Sequence, residues 1–386
     1  MKRLKLGMVG GGTGAFIGAV HRIAARMDDR FELVAGALSS NPETAIQSAK
    51  ELNIKEDRAY TSYTQMVEQE SKRADGINTV AIVTPNFLHY PIAKSFLAAG
   101  INVICDKPMT CTLEEALSLQ KIAQQSDCIF VLTHNYSAYP LVRQAKQLVS
   151  DGELGPLRLV QVEYVQDWLS TATELEGNKQ AEWRSDPKRN GPGGCLGDIA
   201  THAFNLASFI SGLKLTQVSA DLNTFVEGRK LDDNVNAMLR FEKNVKGMLW
   251  SSQVAPGNEN GLRIRIYGEK SGIEWSQENP NQLLFSPLGG AKQIITRAGA
   301  AYTAAPHLVR TPGGHPEGYL EGFANIYYEA ADLILANLAG ENAAQLQQAS
   351  LLPGTQEGVE GLRFIEAVIA SSEQDGKWIA MEPLHE

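Results

Sequence analysis

The stretch "VGGGTGAFIGAVH", residues 9–21, does most to narrow what this chain can fold into. It follows an apolar run, "LKLGMVG", and opens a helical pattern. Gly10, Gly12 and Ala15 satisfy the spacing G-x-G-x-x-G/A. Small residues at those places let the backbone turn tightly and approach a pyrophosphate held at a helix N-terminus. A glycine-rich turn with no ligand has the same spacing, so the surrounding pattern has to decide.

That pattern is regular. Four more near-continuous apolar runs follow, "FELVAGALS", "NTVAIVTP", "INVICDKP" and "CIFVLTH". Strands of a parallel sheet covered on both faces read this way. Between them lie "AFIGAVHRIAARM", "PETAIQSAKEL", "YPIAKSFLAAG" and "TLEEALSLQKIAQQS", with apolar residues recurring at three and four. Repeated βα units specify a doubly wound α/β (Rossmann) domain over residues 1–134.

Beyond residue 134 the pattern changes. A helix, "LVRQAKQLVSDGELG", precedes a period-two strand, "LRLVQVEYVQDW", and another helix starts within residues 191–205. "VNAMLRFEKNVKGMLWSSQV" and "GLRIRIYGEKSGIEW" read as antiparallel hairpins turning at Lys243-Asn244 and Lys270-Ser271. Residues 286–314, rich in Gly, Ala and Pro, read as a long loop. Two late helices, "PEGYLEGFANIYYEAADLILANL" and "EGVEGLRFIEAVIASS", complete an α+β domain over 135–386 with a large open, mainly antiparallel sheet.

Its 386 residues are long for one core, in keeping with two domains. The net charge of -9, with no Lys/Arg cluster, argues against nucleic acid and anionic membrane as partners. No apolar run approaches the length of a membrane span. "MKRLKLGMVGGG" begins like a signal peptide, but glycines break its apolar run at once. Four cysteines without CxxC pairing fit reduced thiols in a cytoplasm.

The ends of the strands carry the candidate chemistry. After the second strand stand Ser39 and Ser40, where a carboxylate would favour NAD by bonding a ribose hydroxyl. Neither an acid nor a phosphate-clamping Arg is present, so NAD is expected and NADP stays open. "VTPNFLHY" places Pro85, Asn86 and His89 at a strand's carboxyl edge, although Asn86 alone reads equally well as a helix cap. Thr13, Thr84 and Asn135 are assigned to the same nucleotide site. "CDKPM" closes the next strand with Asp106, Lys107 and Pro108; a lysine there can bond a substrate hydroxyl and shuttle its proton.

"GPGGCLGDIATHAFN", residues 191–205, admits three readings: a glycine turn starting a helix, a zinc site of Cys195, Asp198 and His202, or an acid/base pair. The absence of a companion Cys/His cluster in the sequence disfavours metal, and none is expected. Asp198 and His202, at i and i+4, share a face if the helix has begun at Asp198. Trp168 and Trp183 offer aromatic faces to a sugar, or pack in a core. Tyr136, Gln166, Arg184 and His315 offer hydrogen bonds suited to a polyol. Pro316 suits the first turn of a helix; His21 reads as structural, and His134 is undecided.

These pieces, in this order, resemble the Gfo/Idh/MocA oxidoreductases. The resemblance spans essentially the whole chain through "GGGTGAFIGAVH", "VTPNFLHYPIAKSFLAAGINVICDKP", "LVSDGELGPLR" and "GPGGCLGDIATHAFNLASFISG". "YVQDW", "LDDN", "ENGLRIRIYGEKSGIEW" and "GHPEGYLEGFANIY" look like the branch containing levoglucosan dehydrogenase and related sugar dehydrogenases. The resemblance implies an NAD(P)-dependent oxidoreductase of a sugar, anhydrosugar, glycoside or cyclitol. It assigns Lys107 beside the nicotinamide, Asp198 to the substrate and His202 as general acid/base. Asp106 stands where the family has Glu, with shorter reach toward a ribose. The family pattern also implies a homodimer or homotetramer through the C-terminal sheet. Two rivals remain: a glycoside hydrolase acting through a transient keto-sugar, and a non-catalytic nucleotide-binding regulator.

Overall fold

The computed structural model describes residues 3–381. The chain forms two units: residues up to Asn135 together with Tyr319–Val359, and Tyr136–Gly318 together with the segment from Glu360 onward. A linear division at 134/135 does not contain this return of residues 319–359 to the first unit.

In the first unit the strands are β1 (Leu4–Gly10), β2 (Phe31–Ala37), β3 (Thr79–Val83), β4 (Asn102–Cys105) and β5 (Phe130–Leu132). They form a parallel sheet in the order β2-β1-β3-β4-β5. Helices α1 (Phe16–Met27), α2 (Pro42–Glu51), α3 (Tyr63–Glu70), α4 (His89–Ala98) and α5 (Leu113–Gln125) lie between the strands in sequence. The short α3 is an element that apolar periodicity does not signal. Leu6, Met8 and Ile82 are fully buried, each worth about 1.5–3 kcal/mol of apolar transfer. The order of connections reverses between β1 and β3, which places the ligand crevice of such sheets at the carboxyl ends of those strands.

The returning segment covers what the βα units leave open. Its helices are α10 (Tyr319–Leu338) and α11 (Ala343–Ala349). Phe323 and Tyr327 of α10 pack on His21 of α1, with ring centroids 5.1 and 5.8 Å away. Gln347 bonds Phe130 N and O at 3.3 and 3.1 Å, and Leu132 N donates to Pro353 O at 2.8 Å. These bonds occupy the edge of β5, whose backbone groups would otherwise lack partners.

The second unit contains α6 (Pro140–Ser150), β6 (Leu157–Val165), α7 (Lys179–Arg184), α8 (Pro187–Asn190), α9 (Thr201–Ser211), β7 (Leu215–Asn223), β8 (Asn234–Phe241), β9 (Lys246–Ser252), β10 (Gly261–Gly268), β11 (Ser271–Ser276), β12 (Gln282–Pro287), β13 (Gln293–Thr296) and β14 (Ile379–Ala380). The last helix, α12 (Thr355–Ser372), begins in the first unit and ends in this one. The sheet runs β13-β12-β11-β10-β6-β9-β8-β7-β14 and is antiparallel except between β6 and β9. One face packs under α9, where Phe204 stacks on Phe364 of α12 at 4.4 Å. The other face leaves Leu159, Met238, Met248 and Trp250 exposed.

Four expectations need correction. Residues 286–314 are not one loop: β12 reaches Pro287, and β13 pairs with it in antiparallel register. The rest of that segment is organised by the buried Arg297–Glu317 pair, whose carboxylate also accepts from Arg310 N and Thr311 N. The second hairpin turns at Glu269-Lys270, one residue earlier than read, because Ser271 already pairs in β11. Pro316 precedes α10 by three positions instead of occupying its first turn. Asn86 does not cap α4, which has no side-chain cap; itself buried, it starts a 3-10 turn whose Phe87 is exposed.

Candidate active site

In the first unit the glycine loop is built as its spacing requires. Gly10 has φ +81°, and a Cβ on it would stand 2.7 Å from Val83 O; on Gly12 it would stand 2.7 Å from Leu38 O. Gly12 N donates to Leu38 O at 3.0 Å. Ala15 takes the N-cap position of α1 without a side-chain hydrogen bond, and the first turn holds no acid. Its amides and the positive end of the helix dipole therefore suit an anion. Thr13 is drawn to α2, donating to Glu51 Oε2 at 2.8 Å. Ser39 accepts from Asn41 N at 3.1 Å; Ser40 is exposed beside it.

At the ends of β3 and β4, buried His89 sits 2.7 Å from Pro108 O and 2.9 Å from Thr84 O. Asp106 Oδ1 accepts from Lys107 N at 3.0 Å and Thr133 Oγ1 at 2.8 Å, so this carboxylate braces its own turn. Lys107 and Pro85 are half-buried. Thr84 Oγ1 and Asn135 Nδ2 are buried polar atoms without a protein partner. Together with glycines that a Cβ would clash with, they fit a bound dinucleotide.

Burial also sets the buried imidazoles. Desolvation pushes His21 down to about 4 against the raising effect of Asp106, and its Nδ1 lies 2.9 Å from Tyr327 Oη. Desolvation and then Lys107 push His134 down to about 3, with Asp106 opposing. Both folded values lie below that of free histidine, so the unfolded chain takes up protons first on acidification. Stability is expected to fall as pH drops from about 6.5 toward 4. A His21→Asn variant should show a shallower fall of Tm over that window; an unchanged slope would remove His21 from the account.

The second unit assembles a separate polar group. Gly191, at φ +98°, ends α8, and Gly193 and Gly194 lead into a π-helical turn, Leu196–Ala200, followed by α9. Asp198 therefore sits on a π turn, not on an α-helix, and the i,i+4 geometry expected for Asp198 and His202 is altered; π turns recur at functional sites. Asp198 accepts from Gln253 Nε2 at 2.9 Å and Arg184 Nε at 3.4 Å. His202 is buried with its ring edge-on to Tyr136 at 4.9 Å, and 6.1 Å from Tyr164.

Tyr164 donates to Asn260 Oδ1 at 2.7 Å, which leaves Tyr136 to donate to the Tyr164 oxygen at 2.6 Å. Gln166 donates to the same Asn260 oxygen and accepts from Trp168 Nε1 at 3.0 Å. Trp183 lies under the Arg184 guanidinium at 4.3 Å, and Gln180 accepts from Arg184 at 2.6 Å. Desolvation pushes the Tyr136 hydroxyl up from its ordinary value, so it stays a neutral donor.

Tyr136, Gln166, Trp168, Trp183, Arg184, Asp198 and His202 are thus tied into these contacts. His315 is exposed, with its ring 3.3 Å from Pro312 O, and takes no part in them. Cys195 is a buried thiol that desolvation pushes upward. No group of three or more His, Cys, Asp or Glu placed to hold a metal occurs among the described residues. Tyr164, Gln253 and Asn260 escape sequence reasoning, because nothing in their spacing marks them before the sheet brings β6, the end of β9 and the start of β10 together; Gln180 escapes it too, one turn before Arg184 on α7.

A doubly wound unit with a phosphate-ready glycine loop, joined in one chain to a unit presenting a carboxylate, a histidine and a chain of hydroxyl and amide groups, defines a nucleotide-dependent enzyme of the α/β class. The chain belongs to the Gfo/Idh/MocA oxidoreductases: residues 4–134 match the family's NAD-binding Rossmann fold, and 142–274 match a GFO/IDH/MocA C-terminal domain. It is similar to the crystal structure of an oxidoreductase from Sinorhizobium meliloti at 51% identity and TM-score 0.88, over 98% of this chain and 100% of that one. An inositol dehydrogenase homologue from Azotobacter vinelandii, complexed with NADH and myo-inositol, matches at 34% identity and TM-score 0.91, over 98% of each chain. Levoglucosan dehydrogenase of Pseudarthrobacter phenanthrenivorans is 27% identical over 82% of this chain and 83% of its own. No helix among the described residues is long and apolar enough to cross a membrane.

Proposed function

We propose that this oxidoreductase interconverts a secondary alcohol of a sugar, anhydrosugar, glycoside or cyclitol and the corresponding ketone, using NAD or, alternatively, NADP. The observation that carries the reading is the seat of His202 against Tyr136, on the same helical segment as an Asp198 held by Gln253 and Arg184. Relatives named for myo-inositol and levoglucosan support the substrate class. When bound, the nicotinamide supplies the hydride acceptor.

The side chains supply the rest. Alcohol oxidation needs a base for the hydroxyl proton as hydride leaves the same carbon. His202 takes that proton, with Lys107 as the second acid/base group. Asp198 accepts from a neighbouring substrate hydroxyl, while Tyr136, Gln166, Trp168, Trp183 and Arg184 recognise the remaining ones. Gly10, Gly12 and Ala15 admit the pyrophosphate; Thr84, Pro85, Asn86, Asp106 and Asn135 bond the ribose and nicotinamide portions. The division of labour follows the two units, nucleotide in the first and substrate in the second, in a cytoplasmic enzyme.

The test is purified protein with NAD or NADP and myo-inositol, glucose, levoglucosan or a glucoside, followed at the nicotinamide absorbance. Turnover of at least one alcohol is expected. Sugar release from the glucoside without net reduced cofactor would replace this reading with redox-assisted cleavage, and no response to any of them would remove its substrate class.

The apolar row Leu159, Met238, Met248 and Trp250 on the open sheet face supports assembly of copies of the chain through that face. A Met238→Glu/Met248→Glu double variant should elute as a monomer in light-scattering chromatography where the parent is a dimer or tetramer; an unchanged mass would exclude this face.

A further inference from the structure

The functional reading leaves Asp232 without a task, yet its side chain is tied twice to the segment that carries Asp198 and His202. Its Oδ1 accepts from Gly194 N and its Oδ2 from Leu196 N, each at 2.7 Å, while its backbone oxygen accepts from Cys195 N at 2.8 Å. Three consecutive amides at the start of the π turn are thus held by one residue from the loop before β8. The fit is close: a Cβ on Gly194 would stand 2.2 Å from Asp232 O. Capping by a residue on the turn itself does not replace this, because Cys195 precedes the π turn without a side-chain cap bond.

We propose that Asp232 is a positioning residue that fixes the π turn and so sets where Asp198 and His202 stand. This rests on the reading of those two residues as the substrate-binding and acid/base groups. A carboxylate suits the task because it offers two acceptors to two amides, and hydrogen bonds to an ionised acceptor are the stronger kind. An amide or a protonated carboxyl offers one acceptor and turns a donor toward the other N–H.

The surroundings make the anchor sensitive to acid. Desolvation pushes the Asp232 carboxyl up to about 6, opposed by the Gly194 and Leu196 amides and reinforced by the neighbouring Asp233. Asp233 is itself paired with Arg229 at 3.2 Å and accepts from Phe225 N and Val226 N. Other ionisable groups close to this turn are Cys195, whose thiol desolvation pushes upward, and Asp198, which is paired with the Arg184 guanidinium at 3.4 Å. As pH falls through about 6, Asp232 gains a proton and the clamp on Leu196 or Gly194 opens.

The experiment is hydrogen exchange by mass spectrometry on the full chain, parent against Asp232→Asn and Asp232→Glu, across pH 5 to 8 and corrected for intrinsic exchange. In the parent, peptides covering residues 194–202 should lose protection as pH drops below about 6. Asp232→Asn should remove that pH dependence and speed their exchange roughly ten- to hundredfold, the range for losing a hydrogen bond to a charged group. Asp232→Glu, which keeps the carboxylate, should recover part of the protection. With whichever of myo-inositol, glucose or levoglucosan is turned over, Asp232→Asn should lower kcat while leaving NAD affinity unchanged. Unaltered exchange at 194–202 in Asp232→Asn overturns the proposal. If instead Asp232→Asn loosens the turn but His202→Ala retains full turnover, the anchoring stands and the assignment of His202 falls.

Discussion

Replacing His202 by alanine is expected to lower kcat by roughly 10²–10⁴-fold, the contribution of a positioned acid/base group. The variant should bind NAD as the parent does, because the glycine loop and the strand ends of the first unit are untouched. His202 is buried against Tyr136, so circular dichroism is needed to check that the His202→Ala protein is folded. The measurement is steady-state turnover of the responsive alcohol in both directions. A loss of less than about tenfold would be too small for a group with that role. Lys107→Ala should also lose turnover, since the second acid/base group is removed.

Cofactor binding should fail in Gly12→Val. The first carbon of the new side chain would stand 2.7 Å from Leu38 O and 2.8 Å from Ser48 Oγ, and Gly12 N already donates to Leu38 O. The loop must then move away from the end of β2, which misplaces the amides that face the pyrophosphate. Overpacking of this kind costs about 1–3 kcal/mol, so NAD affinity should weaken by up to about a hundredfold. Calorimetric titration with NAD measures it, with circular dichroism as a check that the sheet persists. Undiminished affinity would mean that the loop is not the phosphate cradle.

Chain order and hydropathy carry far into this structure. Five near-continuous apolar runs, each followed by a period-3.6 segment, leave one arrangement open, a parallel sheet with helices on its faces; β1 to β5 form it. Gly10 and Gly12 are legible for a related reason, since only a residue without a Cβ tolerates their surroundings. The period-two alternation of β8 and β9 likewise announces a sheet with one covered and one open face.

Other features depend on contacts between residues distant in sequence. The segment from 286 to 314 hides a strand because β13, QIIT, is only four residues long without polar/apolar alternation, and it exists through pairing with β12. The return of α10 and α11 to the first unit is set by an unpaired strand edge and by Tyr327 and Phe323 meeting His21, neither of which has a local signature. The site divides the same way. Residue type and spacing mark Lys107, Asp198 and His202 only as candidates, with their roles implied by the family resemblance, whereas Gln253 meets Asp198, and Asn260 meets Tyr164, only through the register of the sheet. The sequence by itself determined the fold class and the glycine loop, because backbone sterics and hydrophobic periodicity are local. Tertiary structure alone decided that Asp198 stands on a π turn gripped by Asp232, because that turn is held by amides reaching a carboxylate 36 and 38 residues away.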